Sequence, residues 1–299
     1  MIDYHVHLWP HDQRADDGEL RLERLRAYCE MAQSRGVREI ALTEHLFRFT
    51  QVQEVAKRFW RDEKDERLRT EMAAYFDFHA TADLDTYVED VLEAKRSGLR
   101  VVLGLEVDYY RGSMDEVAKL LSGYPFDVLL GSVHWLGTWM FDNLGSKVAM
   151  HEWDVIGTEE AWRIYTEAIE ELAGTRTCDV LAHPDVIKLT GRRPGEASLN
   201  ECNARIAEAA RQSGMAAEIS SAGLRKPANE AYPSNDLLGM FFGAGVPVTT
   251  ASDAHGVPNV ADRHDELIAH ARRAGYQELL GFRSRRGYAV PLVADEADR

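Results

Sequence analysis

The sequence is poor in several features that often declare a function. Only three of its 299 residues are cysteine, Cys29, Cys178 and Cys202, with no C-x-x-C pair among them. An odd, scattered set argues against a disulfide framework and for three reduced thiols that are mostly buried. Cations are scarce: 35 Lys and Arg stand against 50 Asp and Glu, for a net charge of −15. A phosphate backbone demands clustered Lys and Arg, so a nucleic-acid partner is not expected. An anionic small molecule remains open, because bound metal cations can reverse the local field. No apolar run approaches the roughly 20 residues that span a bilayer. No charged and apolar leader precedes the first strand-like segment. The expectation is a cytoplasmic protein without a membrane partner. Repeats, low-complexity tracts and linkers are also missing, which predicts one domain over residues 1–299.

Hydrophobic residues make up 45% of the chain and charged residues 28%, enough apolar material for a sizeable core. Strand-like runs are predicted at 2–6, 39–43, 101–107, 127–133, 179–182, 216–219 and 246–251. Helical patterns fall at 20–35, 84–97, 115–121, 159–173, 199–213, 235–243 and 262–274. Gly36, Gly98, Gly214 and Gly275 stand where helix ends call for glycine. Strands alternating with helices imply a parallel sheet, and seven such units without a break imply a closed or nearly closed seven-stranded (β/α) barrel of the TIM-like type. Two segments exceed simple connections. Residues 46–83 form a helical insertion whose charged run, Arg58 to Arg67, reads as a solvated helix face. Residues 135–157 carry Trp and Gly after a strand end, the place for a lid loop over a barrel mouth.

The eleven histidines are not scattered evenly. Seven of them end or follow a predicted strand: His5, His7 and His11, then His45, His134, His183 and His255. The third strand ends instead in carboxylates, Gly104-Leu-Glu-Val-Asp108, and the last in Ser252-Asp-Ala-His255. In a parallel barrel the C-terminal ends of all strands meet at one rim, so these residues converge. His5 and His7, two apart on one strand, point to the same face. Imidazoles with Glu106 and Asp253 suit divalent transition metals such as zinc, manganese or iron. His79, His151, His264 and His270 lack this placement and read as surface or structural residues.

Taken in order, Tyr4-His-Val-His7, Thr43-Glu-His45, Gly104-Leu-Glu-Val-Asp-Tyr109, Gly131-Ser-Val-His134, His183-Pro-Asp-Val-Ile-Lys188 and Ser252-Asp-Ala-His255 resemble the PHP (polymerase and histidinol phosphatase) superfamily. Ser221-Ala-Gly-Leu-Arg-Lys-Pro227 followed by Tyr232-Pro-Ser234 is similar to its stand-alone histidinol-phosphate phosphatases. The resemblance implies a distorted seven-stranded barrel and two or three divalent metal ions. It implies one ion held by His5, His7, Glu106 and Asp253. Glu106 would bridge to a second, shared with His134 and His183, and a third would take His11, His45 and His255. The spacing from His7 to His11 is shorter than the family pattern, and Ser220-Ser221 stands where an Asn-Thr-type pair would be more familiar.

The implied reaction is hydrolysis of a small phosphorylated metabolite, histidinol phosphate in histidine biosynthesis, by a metal-bridging hydroxide. Another phosphomonoester, a nucleotide or a cyclic phosphodiester is the alternative substrate. Neither a D-x-D-x-T nor a C-x₅-R motif is present, which agrees with a mechanism lacking a phosphoenzyme. Glu106, Asp253 and His255 are the expected catalytic residues. Arg225, Lys226 and Lys188 are the expected phosphate contacts, and Trp135, Trp139 and Tyr109 are candidates to touch an imidazole-bearing substrate. Glu44 and Asp185 are expected to orient imidazoles from behind. An amidohydrolase, which commonly uses a carboxylated Lys at a strand end, and a non-catalytic metal-binding or polymerase-associated module fit less well. No Lys ends a predicted strand, and the ligand set is complete.

Overall fold

A computed structural model describes residues 1–15 and 22–292. In chain order its elements are β1 (Ile2–Val6), α1 (Leu22–Ser34), β2 (Glu39–Leu42), α2 (Gln53–Arg61), α3 (Glu66–His79), α4 (Leu84–Arg96), β3 (Val101–Asp108), α5 (Met114–Leu121), β4 (Val128–Ser132), β5 (Trp135–Leu136) and β6 (Trp139–Met140). They continue with α6 (Lys147–Ile156), α7 (Thr158–Thr175), β7 (Val180–Leu181), α8 (Glu196–Ser213), β8 (Ala216–Ser220), α9 (Asn235–Gly243), β9 (Val248–Ala251), α10 (His264–Ala274), β10 (Glu278–Arg283) and β11 (Arg286–Pro291).

The seven expected strands form one sheet in the order β1-β2-β3-β4-β7-β8-β9, parallel throughout. Every residue of β1, β3, β4, β8 and β9 is buried. Burial of both alternating faces is what helices outside and side chains inside a barrel produce. Gly104 lets the strands approach: a Cβ there would lie 2.8 Å from Thr43 Cγ2 and 2.9 Å from the Val128 carbonyl oxygen. The helices start and stop on local chemistry. Asp83 accepts from the Thr86 N–H at 2.8 Å at the head of α4, and Ser146 from the Ala149 N–H at 3.0 Å at the head of α6. Gly214 (φ +77°) and Gly275 (φ +112°) close α8 and α10 in the left-handed region. The expected start of the first helix, at residues 20–21, lies outside the described residues. Among the described residues no helix is long and apolar enough to cross a membrane.

Closure between β9 and β1 is not a regular ladder. A parallel bridge joins Val6 to Ala254, and the His7 N–H donates to the Ala254 carbonyl at 2.7 Å. The seam is completed by a side chain. The fully buried Asp3 carboxylate accepts from the Ser252 N–H (2.7 Å), the Ser252 hydroxyl (2.6 Å) and the Ala261 N–H (2.8 Å).

Several features go beyond the sequence expectation. The antiparallel pair β10–β11 covers the end of the barrel opposite the histidines. The Arg285 N–H donates to the Asp127 carbonyl (2.8 Å), the Ser284 N–H to the Asp127 carboxylate (3.1 Å) and the Phe282 N–H to the Tyr4 hydroxyl (3.1 Å). Residues 135–157, expected as a loop, fold into the β5–β6 hairpin and α6. The charged run from Arg58 to Arg67 is not one helix face. It crosses the end of α2, a turn and the start of α3, and it buries Trp60, which stacks on Phe76 at 4.3 Å.

Asp3→Ala would leave two buried N–H groups without an acceptor where no ladder can compensate. We expect it to cost about 3 kcal/mol, read as a lower urea midpoint, with Asp3→Asn falling between. A loss under about 1 kcal/mol would show that the seam does not depend on this carboxylate.

Candidate metal centre

Because all seven strands are parallel, their C-terminal ends share one rim, and the strand-end residues converge there. At the centre is Glu106 on β3, fully buried. Its Oε2 lies 2.6 Å from His45 Nδ1, 3.3 Å from His5 Nε2 and 3.6 Å from His7 Nε2. Its Oε1 lies 2.9 Å from His183 Nε2 and 3.4 Å from His134 Nε2. One carboxylate thus faces five imidazoles, each oxygen a different set. Asp253 Oδ1 approaches His7 Nε2 at 3.3 Å, His255 Nδ1 at 3.6 Å and His5 Nε2 at 4.0 Å. His45 Nε2 and His255 Nε2 are 3.3 Å apart, and the ring of His11, at the exposed edge, lies 3.9 Å from that of His255. All nine expected metal-ligating residues are therefore brought to one place.

A second layer of carboxylates fixes these rings. His5 Nδ1 meets Glu218 at 2.8 Å, His7 Nδ1 meets Glu44 at 3.3 Å and His134 Nδ1 meets Asp108 at 2.5 Å. Such partners set the tautomer and turn the other nitrogen inward. The inward atoms fit a cation. His5 Nε2, His7 Nε2, His45 Nδ1 and Glu106 Oε2 are buried and, close as they lie to one another, meet no partner at a hydrogen-bonding angle. Unmet polar atoms cost roughly 1–3 kcal/mol each, so a cluster of four facing one another calls for ligands of positive charge. Two subsets built on Glu106, with His5 and His7 or with His45 and His134, and the trio His7, His45 and His255 have donor atoms close enough to hold metal ions.

The electrostatics agree. Burial alone would raise Glu106, but the charges of His45, His5 and His134 hold it well below the carboxylate range. Burial works against an imidazolium at His134, yet Glu106 and Asp108 push it up to about 10. Glu44 is also opposed by burial, and His7 and Arg48 bring it down to about 2. Two of the strand-end residues occupy strained backbone, His183 (φ +25°) and Asp253 (φ +50°), a region costing about 1 kcal/mol or more for non-glycine residues.

A cavity of about 460 Å³ opens onto this cluster, lined on one side by His11, His45, His134, His183, Asp253 and His255. The insertion supplies Phe47, Tyr75 and His79 to its wall, and the 135–157 segment supplies Trp135, Met140 and Asp142. Burial raises the Asp142 carboxyl above its ordinary range, with His134 and Lys226 pulling the other way. A depression of about 580 Å³ between α7 and α8 carries no comparable constellation.

The expected phosphate contacts separate. Lys226 lines the cavity. The Arg225 guanidinium donates to the carbonyls of Ser252 (2.6 Å) and Asp253 (3.2 Å) and pairs with Asp262 (2.9 Å), so it braces the strained Asp253 turn. Lys188 is wholly buried, held by Asp185 (2.8 Å), Glu230 (2.9 Å) and the Ala231 carbonyl (2.8 Å). Asp185 is correspondingly not behind an imidazole; its carboxylate takes Lys188 and the Ser234 N–H (2.8 Å). Of the three aromatics, Trp135 reaches the cavity, while Tyr109 bonds Glu171 and Trp139 bonds the Ala149 carbonyl.

Three residues were not anticipated. Glu218 sits inside β8, without a histidine beside it to mark it. His79 was expected to be surface or structural and lines the cavity. Arg48 is wholly buried and donates to the carbonyls of Trp9 (3.2 Å), Pro10 (2.8 Å) and Gln13 (2.7 Å) while pairing with Glu44 (3.3 Å). It ties the segment bearing His11 to the one bearing His45.

The fold and this rim define the class: a parallel (β/α) barrel with a histidine–carboxylate centre able to hold divalent metal ions. The family model described as the PHP domain matches residues 3–222, and the chain belongs to that family. The probable histidinol-phosphatase of Deinococcus radiodurans is 32% identical over 190 residues, covering 63% of this chain and 70% of the relative. Its counterpart in Schizosaccharomyces pombe is 26% identical over 208 residues, covering 65% and 67%. The fold is also that of the histidinol phosphate phosphatase of Lactococcus lactis, solved with zinc, L-histidinol and phosphate. The TM-score is 0.66 at 20% identity, over 96% of this chain and 98% of that one.

Outer partners of metal ligands are commonly worth 10–100-fold in affinity, and Glu106 faces both histidine sets. We expect Glu106→Ala to weaken metal binding by more than about a hundredfold and to abolish turnover, with elemental analysis as the readout. A fully metallated, active variant would contradict this.

Proposed function

We propose that this chain is a metal-dependent phosphomonoester hydrolase that converts L-histidinol phosphate and water to L-histidinol and phosphate. The observation that carries the chemistry is Glu106, whose two oxygens face separate groups of histidines. The names of the two curated relatives support the choice of substrate.

In this reading His5, His7, Glu106 and Asp253 hold one divalent ion. Glu106, His134 and His183 hold a second, and His11, His45 and His255 form the site of a third. Zinc, manganese and iron all suit these donors, and the zinc named with the Lactococcus lactis enzyme favours zinc. When bound, the ions supply a nucleophilic oxygen at neutral pH and neutralise the phosphoryl oxygens.

The remaining work belongs to the protein. Glu218, Glu44 and Asp108 keep the ring protons of His5, His7 and His134 on the outer nitrogens, leaving the inner ones free to donate electron pairs. Lys226 reaches the phosphate from the cavity wall as a positive donor. Arg225 serves the phosphate less directly, by holding Asp253 in place through its carbonyl. As the water oxygen bonds to phosphorus, the bond to the histidinol oxygen breaks and that oxygen takes a proton. The proton comes from the attacking water, and Asp253 and His255, which both line the cavity, are the groups placed to pass it across.

The test is kinetic. With zinc or manganese supplied, kcat/KM for L-histidinol phosphate should exceed that for 4-nitrophenyl phosphate by about a hundredfold or more, since a fitted pocket draws on the leaving group for binding. Equal values would assign the same chemistry to a different phosphoester.

A further inference from the structure

A cavity built to receive a phosphate dianion contains an anion of its own. Asp142 lies two residues past β6 and lines the cavity within electrostatic reach of His134 and His183. Among the described residues no other side chain hydrogen-bonds to its carboxylate or forms an ion pair with it. His134, Lys226 and His183 exert an electrostatic pull on it, and none of them forms an ion pair with it. The neighbouring wall is aromatic. Tyr75 packs edge-on against Phe47 at 5.2 Å, and Phe47 edge-on against Trp135 at 5.9 Å.

A bare carboxylate here works against binding of a simple phosphate ester. It is compensated only when the ester carries a positive charge of its own. L-Histidinol phosphate does: a primary ammonium stands on the carbon next to the one bearing the phosphate oxygen, and an imidazole follows. We propose that Asp142 is a specificity-determining residue of this cavity, its carboxylate pairing with the ammonium of an aminoalkyl phosphate while the aromatic wall takes the flat ring. This rests on the phosphatase reading above and names the feature of the substrate that the pocket selects. The negative charge also discriminates against the alternatives, because nucleotides and plain alkyl phosphates bring no ammonium to meet it.

The experiment compares L-histidinol phosphate with its desamino analogue, 3-(imidazol-4-yl)propyl phosphate, on the metal-loaded enzyme. The wild type should prefer the amino ester. In D142N the ratio of the two kcat/KM values should collapse by about fiftyfold, chiefly through KM for the amino ester, as expected for loss of a partly buried charge pair. D142E should recover part of the preference. A wild type indifferent to the amino group, or a preference that survives in D142N, would overturn the inference alone. A wild type that cleaves L-histidinol phosphate no faster than 4-nitrophenyl phosphate would overturn the functional reading, and this inference with it.

Discussion

A single buried carboxylate ringed by imidazoles organises this molecule. Glu106 is removed from water on the third barrel strand, and the histidines of four other strand ends or their loops turn their nitrogens toward it. In a low-dielectric interior such a charge cannot stand alone. Without cations it must draw protons onto the surrounding rings; with them, the same donors become a binding site. The buried, unpartnered nitrogens of His5, His7 and His45 mark the second state as the one the architecture is built for.

The rest of the fold reads as support for that arrangement. Asp3 fixes Ser252, and Arg225 fixes Ser252 and Asp253, so the last strand delivers its carboxylate despite the unfavourable backbone at Asp253. Arg48 gathers three carbonyls of the segment after β1 and also Glu44, which in turn holds His7. The insertion at 46–83 therefore does two things. Arg48 in its first turn braces the rim, and Phe47 and Tyr75 add an aromatic wall to the cavity. At the far end, β10 and β11 cover the bottom of the barrel and leave the chemistry to the opposite mouth.

The barrel and its rim were legible in the sequence because two simple periodicities coincide. Alternating strand and helix patterns imply a parallel sheet, and a parallel sheet gathers strand ends. His5 through His255 could thus be grouped before any coordinates. What was missed lies where side-chain chemistry replaces pattern. The β7 ladder narrows to Val180–Leu181, and at its edge the Asp179 carboxylate takes the Leu129 N–H while the Asp179 N–H donates to the Leu129 carbonyl. The exposed β11 has no apolar alternation to announce it. Glu218 acts through His5, far away in the chain, and Arg48 joins the nearby Glu44 to carbonyls of residues 9–13, contacts that no local pattern announces. Arg225, ahead of Lys226 and Lys188, was the expected phosphate contact; the structure places Arg225 at a turn and Lys188 in a buried network, and leaves Lys226 at the cavity.

The most direct test of the central claim is anomalous scattering from crystals of the metal-loaded protein, collected at the absorption edge of the metal. The account predicts at least two peaks flanking Glu106, one beside His5, His7 and Asp253 and one beside His134 and His183. A single peak on one side of that carboxylate, or density confined to sites away from it, would contradict the account.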